Sequence, residues 1–376
     1  MKVGVLNESD GGERRVALVP DIVKKLARKE IDVVVEAGAG ERAGITDEAF
    51  SEAGATVGSA DDVYAADVVA RVSVPSAEAI GKLRSGSVLI GFLAPLTSPE
   101  TARALASGGV TAFAMEAIPR TTRAQSADAL SSQATVAGYR AALIAAELSG
   151  RFFPMLTTAA GTVRPAKVMV LGAGVAGLQA IATARRLGAI VSAYDVRAAV
   201  KEQIESLGAS FVELELDADA EGEGGYAKEM DEAAQRRQRE LLGDAMSEMD
   251  AVITTALIPG RPAPLLITAD AVRKMKPRAV VVDLAGEAGG NCELSEAGET
   301  VVREDVTIAA PLNLPATLPE HASQLYARNI QSLLELLVDD EGKLALNFDD
   351  DIVAGACITH EGEIVHEGAK AAAGAG

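Results

Sequence analysis

The chain is predicted to be an α/β protein of two Rossmann-like, doubly wound lobes with mostly parallel sheets, joined by long helices. Three observations carry that expectation. Strands and helices alternate along two separate stretches, as parallel sheets require. The second stretch opens on a glycine-rich turn between a strand and a helix. The length, 376 residues, exceeds one ordinary domain. Hydrophobic residues at 48% provide for a large core, and with aromatics at 3% and no Trp it must be filled by Ala, Val, Leu and Ile.

The first stretch runs from Met1 directly into a short apolar strand at residues 3–6, so no signal peptide is expected. Residues 20–29 form an amphipathic helix with Ile22, Val23 and Leu26 on one face. Asp32–Glu36 holds three consecutive Val, which suits a strand buried on both faces. Strands follow at 66–72, 88–92 and 111–114, with helices around Ala49, Ala79 and Ala104. Residues 125–148 read as one long helix leaving a Ser-rich turn, a stiff connection between lobes that stops at Ser149-Gly150.

The second stretch begins at Lys167 with a strand at 168–171, a helix at 177–187 and a strand at 190–194. A helix at 200–207 and a strand at 211–216 come next. Residues 217–240 are charged and start Gly-rich, predicting a loop that orders on demand and then a solvated helix. Strands at 251–254 and 279–284 complete this sheet. After Pro311, Pro315 and Pro319, a helix over 321–337 is expected to return to the first lobe, and the Ala/Gly-rich tail from Gly368 is read as disordered. The expected division is 1–127 with 311–376 as a discontinuous N-terminal lobe, and 128–310 as a nucleotide-binding lobe.

Composition excludes some functions. A net charge of −19 argues against nucleic acid or an anionic membrane surface as the main partner. Arg outnumbers Lys, 23 to 12, which fits a salt-adapted protein or an ordinary acidic one. Cys292 and Cys357 show neither metal spacing nor a disulfide framework and are read as reduced, buried thiols. With only His321, His360 and His366, a His-based metal site or triad has little material, and no metal is expected. The longest apolar run, 168–184, is broken by glycines and Gln179, so the chain is expected to be soluble.

Gly172-Ala173-Gly174-Val175-Ala176-Gly177 matches G-x-G-x-x-G in the context that gives it meaning, after a strand and at the opening of a helix. Gly172 permits the tight turn, Gly174 lets backbone approach a pyrophosphate, and Gly177 allows close helix–strand packing. Amides at the helix start would hold the phosphates. Asp195, 23 residues beyond Gly172 and followed by Val196 and Arg197, is placed to accept from an adenosine ribose. Its charge favours NAD(H) over NADP(H), a preference that Arg197 moderates. Residues Thr255, Ala256 and Leu257 follow a strand, and either lie against the dinucleotide or simply end the strand. No His stands in the second lobe to relay a proton to a small substrate.

Beyond these residues, PRTTRAQSADALSSQ (119–133), residues 167–208, GYAKEM (225–230), TTALIPGRPAP (254–264), GGNCE (289–293) and ASQLYA (322–327) closely resemble one family. It is the NAD(H)-binding component, domain I, of proton-translocating NAD(P) transhydrogenases of the three-subunit type. The resemblance implies that Arg120, Gln125, Asp128 and Ser131 gather at the nicotinamide, and that Tyr226 belongs to a mobile loop closing over the nucleotide. The same four-residue segment also reads as a helix start capped by Ser126. The GGNCE stretch reads as half structural, with Cys292 not catalytic. Departures from the family are Ala127, where Met is common, and residues 286–289, where the family reads closer to AEQG.

The resemblance further implies direct hydride exchange between NAD(H) on this chain and NADP(H) on a separate NADP(H)-binding subunit. A membrane proton-channel subunit would couple that exchange to proton movement. The chain would be a homodimer, cytoplasmic and peripheral on that face of the membrane. Alanine dehydrogenases share the fold and the start of the chain, including Arg15, and supply the alternative. They carry a Lys and a His where this chain has Ser73 and Ala94, so their proton relay is missing here.

Overall fold

A computed structural model describes residues 1–214, 232–339 and 341–374. The chain divides into two compact units, Met1–Gln133 with Pro315–Gly376, and Ala134–Leu314.

In the first unit six parallel strands lie in the order Thr111–Ala114, Val88–Gly91, Val68–Ala70, Lys2–Val5, Asp32–Glu36, Thr56–Gly58. The chain winds outward in both directions from Lys2–Val5, which makes the sheet doubly wound. Cys357–His360 adds antiparallel to Thr111–Ala114, and Glu363–Ile364 adds antiparallel to that. Val33 and Val35 enter one apolar cluster and Val34 the opposite one, so the Val run is covered on both faces. Helix Pro20–Ala27 buries Ile22, Val23 and Leu26 as its periodicity requires. Helix Pro319–Leu337 sinks Tyr326, Ile330 and Leu333 into the same cluster as Val33.

The second unit repeats the plan. Its parallel strands are ordered Ser210–Phe211, Ile190–Tyr194, Lys167–Leu171, Ala251–Thr254, Val280–Asp283, Val306–Ala309, with Thr300–Arg303 antiparallel at the edge. Val168 and Val170 face one cluster, Met169 and Leu171 the other. A short hairpin, Leu156–Thr158 with Gly161–Val163, stands apart from the sheet with all six residues exposed. No helix among the described residues is long and apolar enough to cross a membrane.

Several expectations are corrected. The helix expected over 125–148 starts at Ala129, because Gln125–Ala127 forms a separate 3-10 turn. Asp128, not Ser126, caps it, its Oδ1 accepting the Ser131 N–H at 2.9 Å. Strands at 251–254 and 280–283 do not complete the second sheet, since Thr300–Arg303 and Val306–Ala309 extend it. The strand expected at 211–216 pairs only through Ser210–Phe211. Helix Glu232–Met246 is more than a solvated helix: it buries Leu242 and Met246, and Gln238 donates to the Tyr194 hydroxyl at 2.9 Å. The tail is ordered as helix Glu367–Ala373, with Ala369 fully buried and His366 accepting from the Ala369 N–H. The loop expected from residue 217, with Tyr226, lies outside the described residues.

Candidate functional site

The second unit's strand order reverses between Lys167–Leu171 and Ala251–Thr254, and the glycine turn leaves the first of these. Ligands bind doubly wound sheets at such a switch point, outside the carboxyl ends of the strands. Gly172 has φ +96°, and a Cβ on it would come within 2.8 Å of Thr255 Oγ1. A Cβ on Gly177 would stand 1.9 Å from the Gly172 carbonyl oxygen, so only glycine lets helix Val175–Arg186 seat against the turn. Gly174 differs: nothing lies within 4 Å of its missing Cβ. It is the N-cap, and the amides of Val175, Ala176 and Gly177 follow it at the first turn, where helical N–H groups lack intrahelical partners. Open space beside a donor-rich, dipole-positive helix start fits a pyrophosphate.

Asp195 closes one side of this crevice. Its carboxylate accepts the Ala173 N–H at 2.7 Å and the Arg197 N–H at 2.9 Å. It also accepts Arg197 Nε at 2.9 Å and Nη2 at 2.8 Å. Burial works to raise its pKa, but these bonds and the guanidinium outweigh it and hold the carboxyl below its usual range. Val196 follows in the same segment, partly buried beside the Met169 cluster.

On the other side stand Thr255, Ala256 and Leu257. Thr255 Oγ1 donates to the Gly172 carbonyl at 3.1 Å, stitching the two strand ends together, while Leu257 is 49% exposed. The support beneath them carries no mark in the local sequence. Asn291, fully buried, accepts the Ala256 N–H at 3.1 Å through Oδ1. Its Nδ2 donates to the carbonyls of Ala256 at 2.9 Å and Pro264 at 2.8 Å. Asp283, also fully buried, holds the Asn291 and Cys292 amides at 2.8 and 2.9 Å. The GGNCE stretch thus fixes the backbone of residues 255–257. Burial pushes the Cys292 thiol up to about 11, which removes it as a nucleophile near neutral pH.

In the first unit Arg120, Gln125, Asp128 and Ser131 line a single surface cavity of about 270 Å³. Asp128 Oδ2 accepts the Ser131 hydroxyl at 2.6 Å, so the two side chains form one acceptor-and-donor pair at the helix start. Asn329 braces the segment, donating to the Ser126 carbonyl at 2.8 Å and accepting from Ser132 Oγ at 2.7 Å. Nothing local in the sequence marks Asn329, which is about two hundred residues away along the chain.

The first unit has its own switch point, between Lys2–Val5 and Val68–Ala70, and it is filled. Glu8 accepts Arg71 Nη2 at 3.0 Å and the amides of Val72 and Ser73 at 2.6 and 2.9 Å. Ala94 adopts φ +50°, and it and Leu93 donate their amides to Glu116 Oε1. Neither Ser73 nor Ala94 presents a group that could carry a proton in amine chemistry.

The family comparisons agree with this geometry. Residues 4–137 match the family described as alanine dehydrogenase/PNT, N-terminal domain, and residues 141–367 its C-terminal domain. The chain is 49% identical over 376 residues to the first of the two alpha-subunit polypeptides of NAD(P) transhydrogenase in Rhodospirillum rubrum, covering 97% of this chain and 98% of that relative. A crystal structure of transhydrogenase from Sinorhizobium meliloti shares 49% identity and superposes with a TM-score of 0.89, covering 97% of this chain and 100% of that one. Alanine dehydrogenase of Mycobacterium tuberculosis is 32% identical over 387 residues, covering 98% of this chain and 95% of that relative.

Proposed function

The chain belongs to the alanine dehydrogenase/PNT family, and from that premise we propose that it is the NAD(H)-binding catalytic subunit of a proton-translocating NAD(P) transhydrogenase. The observation that carries the reading is the crevice at the second unit's switch point, where open space at Gly174 meets a carboxylate anchored to the Ala173 amide. It occurs in a chain 49% identical, nearly end to end, to a transhydrogenase alpha-subunit polypeptide.

When bound, NAD(H) supplies the hydride donor or acceptor. The chain's own residues hold and orient it. The amides of Ala173 to Gly177 take the pyrophosphate, and Asp195, with Val196 and Arg197 beside it, takes the adenosine ribose. Thr255, Ala256 and Leu257 offer backbone to the nicotinamide ribose. Arg120, Gln125, Asp128 and Ser131 orient the carboxamide, since an amide needs both a donor and an acceptor to fix its face. Tyr226 closes over the nucleotide and excludes water. Hydride passes directly to or from NADP(H) on a partner subunit, so no residue here has to relay a proton. A membrane subunit couples the exchange to proton translocation, and the chain docks peripherally on the cytoplasmic face. A second copy completes a homodimer. Exposed Phe152 at 57% and Met155 at 64%, leading into the solvent-exposed hairpin, support an apolar partner surface of that kind.

The test mixes the purified chain with an NADP(H)-binding subunit and follows reduction of an NAD analogue by NADPH. Exchange is expected only in the mixture, and its absence at saturating nucleotide would remove the proposal. Similarity to the mycobacterial relative keeps alanine dehydrogenase activity as the second reading. Oxidation of NADH by the chain alone with pyruvate and ammonia would favour it.

A further inference from the structure

We infer that Arg197 sets nucleotide affinity and specificity by occupying the Asp195 carboxylate until the ribose of NAD(H) displaces its guanidinium. The inference rests on the reading that the Gly172–Gly177 crevice holds NAD(H), and adds a competitor to it.

A carboxylate offers about four lone-pair positions. Asp195 has four donors on it: the amides of Ala173 and Arg197, and the Nε and Nη2 of Arg197. The two amides are fixed by the fold, since Ala173 is part of the glycine turn and Arg197 N lies two residues on along the chain. The other two belong to a side chain that can rotate away. Ribose hydroxyls can therefore reach Asp195 only where the guanidinium now sits. The Asp195 side chain is 7% exposed and that of Arg197 is 17% exposed, so the pair is shielded from solvent and not a loose surface contact.

The exchange replaces a charge-assisted, forked contact with bonds from neutral hydroxyls, which are the weaker kind. Arg197 thus works against NAD(H). Its effect on a 2′-phosphate is opposite. Asp195 repels that group, while an arginine in this position is the residue that accommodates it. In the ion pair each charge masks the other, and discrimination is weaker than a lone carboxylate would give. Removing the cation leaves the repulsion alone. Removing the anion frees the cation.

Dissociation constants for NADH and NADPH, read from nucleotide fluorescence, test this with the wild-type chain, Arg197→Met and Asp195→Asn. Methionine keeps the apolar stem, and unfolding midpoints verify that each variant is folded. Arg197→Met is expected to bind NADH about threefold tighter or better and NADPH more weakly. Asp195→Asn is expected to lose NADH affinity and gain NADPH affinity by about tenfold. If the wild type binds NADH and folded Arg197→Met binds it no tighter, the inference alone is overturned. If the wild type ignores NADH, the dinucleotide reading falls and the inference with it.

Discussion

The two sheets are wound alike, yet their switch points end differently. In the second unit the strand Lys167–Leu171 runs into Gly172, whose backbone turns at φ +96° and leaves open space at Gly174. In the first unit Lys2–Val5 runs into Leu6, Asn7 and Glu8, and the corresponding space is taken by the Glu8–Arg71 ion pair and the amides of Val72 and Ser73. Tyr326 seals it further, its hydroxyl donating to the Arg71 carbonyl at 2.8 Å. One crevice is built from absent side chains and the other is closed by present ones. The same topology therefore supplies one nucleotide crevice and one self-satisfied core, and glycine placement decides between them.

The sharpest way to break the contrast is Gly177→Val. Its Cβ would meet the Gly172 carbonyl oxygen at 1.9 Å, which is backbone and cannot yield. Expected results are loss of measurable NADH binding and a stability loss of about 3 kcal/mol or more by urea unfolding. Wild-type NADH affinity in this variant would mean that the turn is not the binding element. Glu8→Ala tests the closed side. It strands a buried guanidinium and two amides, so about 3 kcal/mol of stability should go while NADH affinity in the folded protein stays unchanged. A matching loss of NADH affinity would show that the first unit's switch point is not the inert plug described.

Asn291→Ala probes the support under the second crevice. Ala256 and Pro264 would lose three bonds to a buried amide, costing about 2 kcal/mol. NADH affinity should fall with it, and a variant of wild-type stability would refute the clamp. The smallest effect expected is one of pH. Burial, outweighing the amides of Ala94 and Leu93, raises the Glu116 pKa, and Glu8 is raised in the same way despite Arg71. For such carboxyls the stability contribution is complete below the unfolded pKa of about 4.3 and is lost as pH climbs through the folded value. Asp195 has the opposite sign: its pKa is lowered, so its contribution is present above the unfolded value and lost on acidification. Glu116→Gln should therefore gain in unfolding temperature relative to wild type as pH rises from about 4 to 8. A constant difference would show that Glu116 does not titrate differently on folding.

What the sequence made legible follows the same contrast. A backbone-built turn needs particular residues at fixed spacing, so Gly172, Gly174, Gly177 and Asp195 stand out in the chain and take the expected positions around one crevice. Strand Asp32–Glu36 was legible because both of its faces demand Val. Partners brought together from afar leave no such trace. Glu8 with Arg71, Asn329 with Ser126, and Asn291 with Ala256 are ordinary polar residues until the fold juxtaposes them. The tail misled for a related reason. Its Ala and Gly residues carry no periodic apolar stripe, and the helix exists because Ala369 is buried and Arg103 donates to the Ala373 carbonyl at 2.8 Å.

The first unit takes its sheet from both ends of the polypeptide, since Cys357–His360 lies against Thr111–Ala114. A ribosome consequently delivers everything the second unit requires before it has made the last piece of the first. The opening third of the nascent chain must wait, with one sheet edge uncovered, until synthesis is nearly over. Nicks or stop codons near the carboxyl end would thus injure the amino-terminal half and spare the middle, and chaperone demand during translation should peak over that unfinished edge.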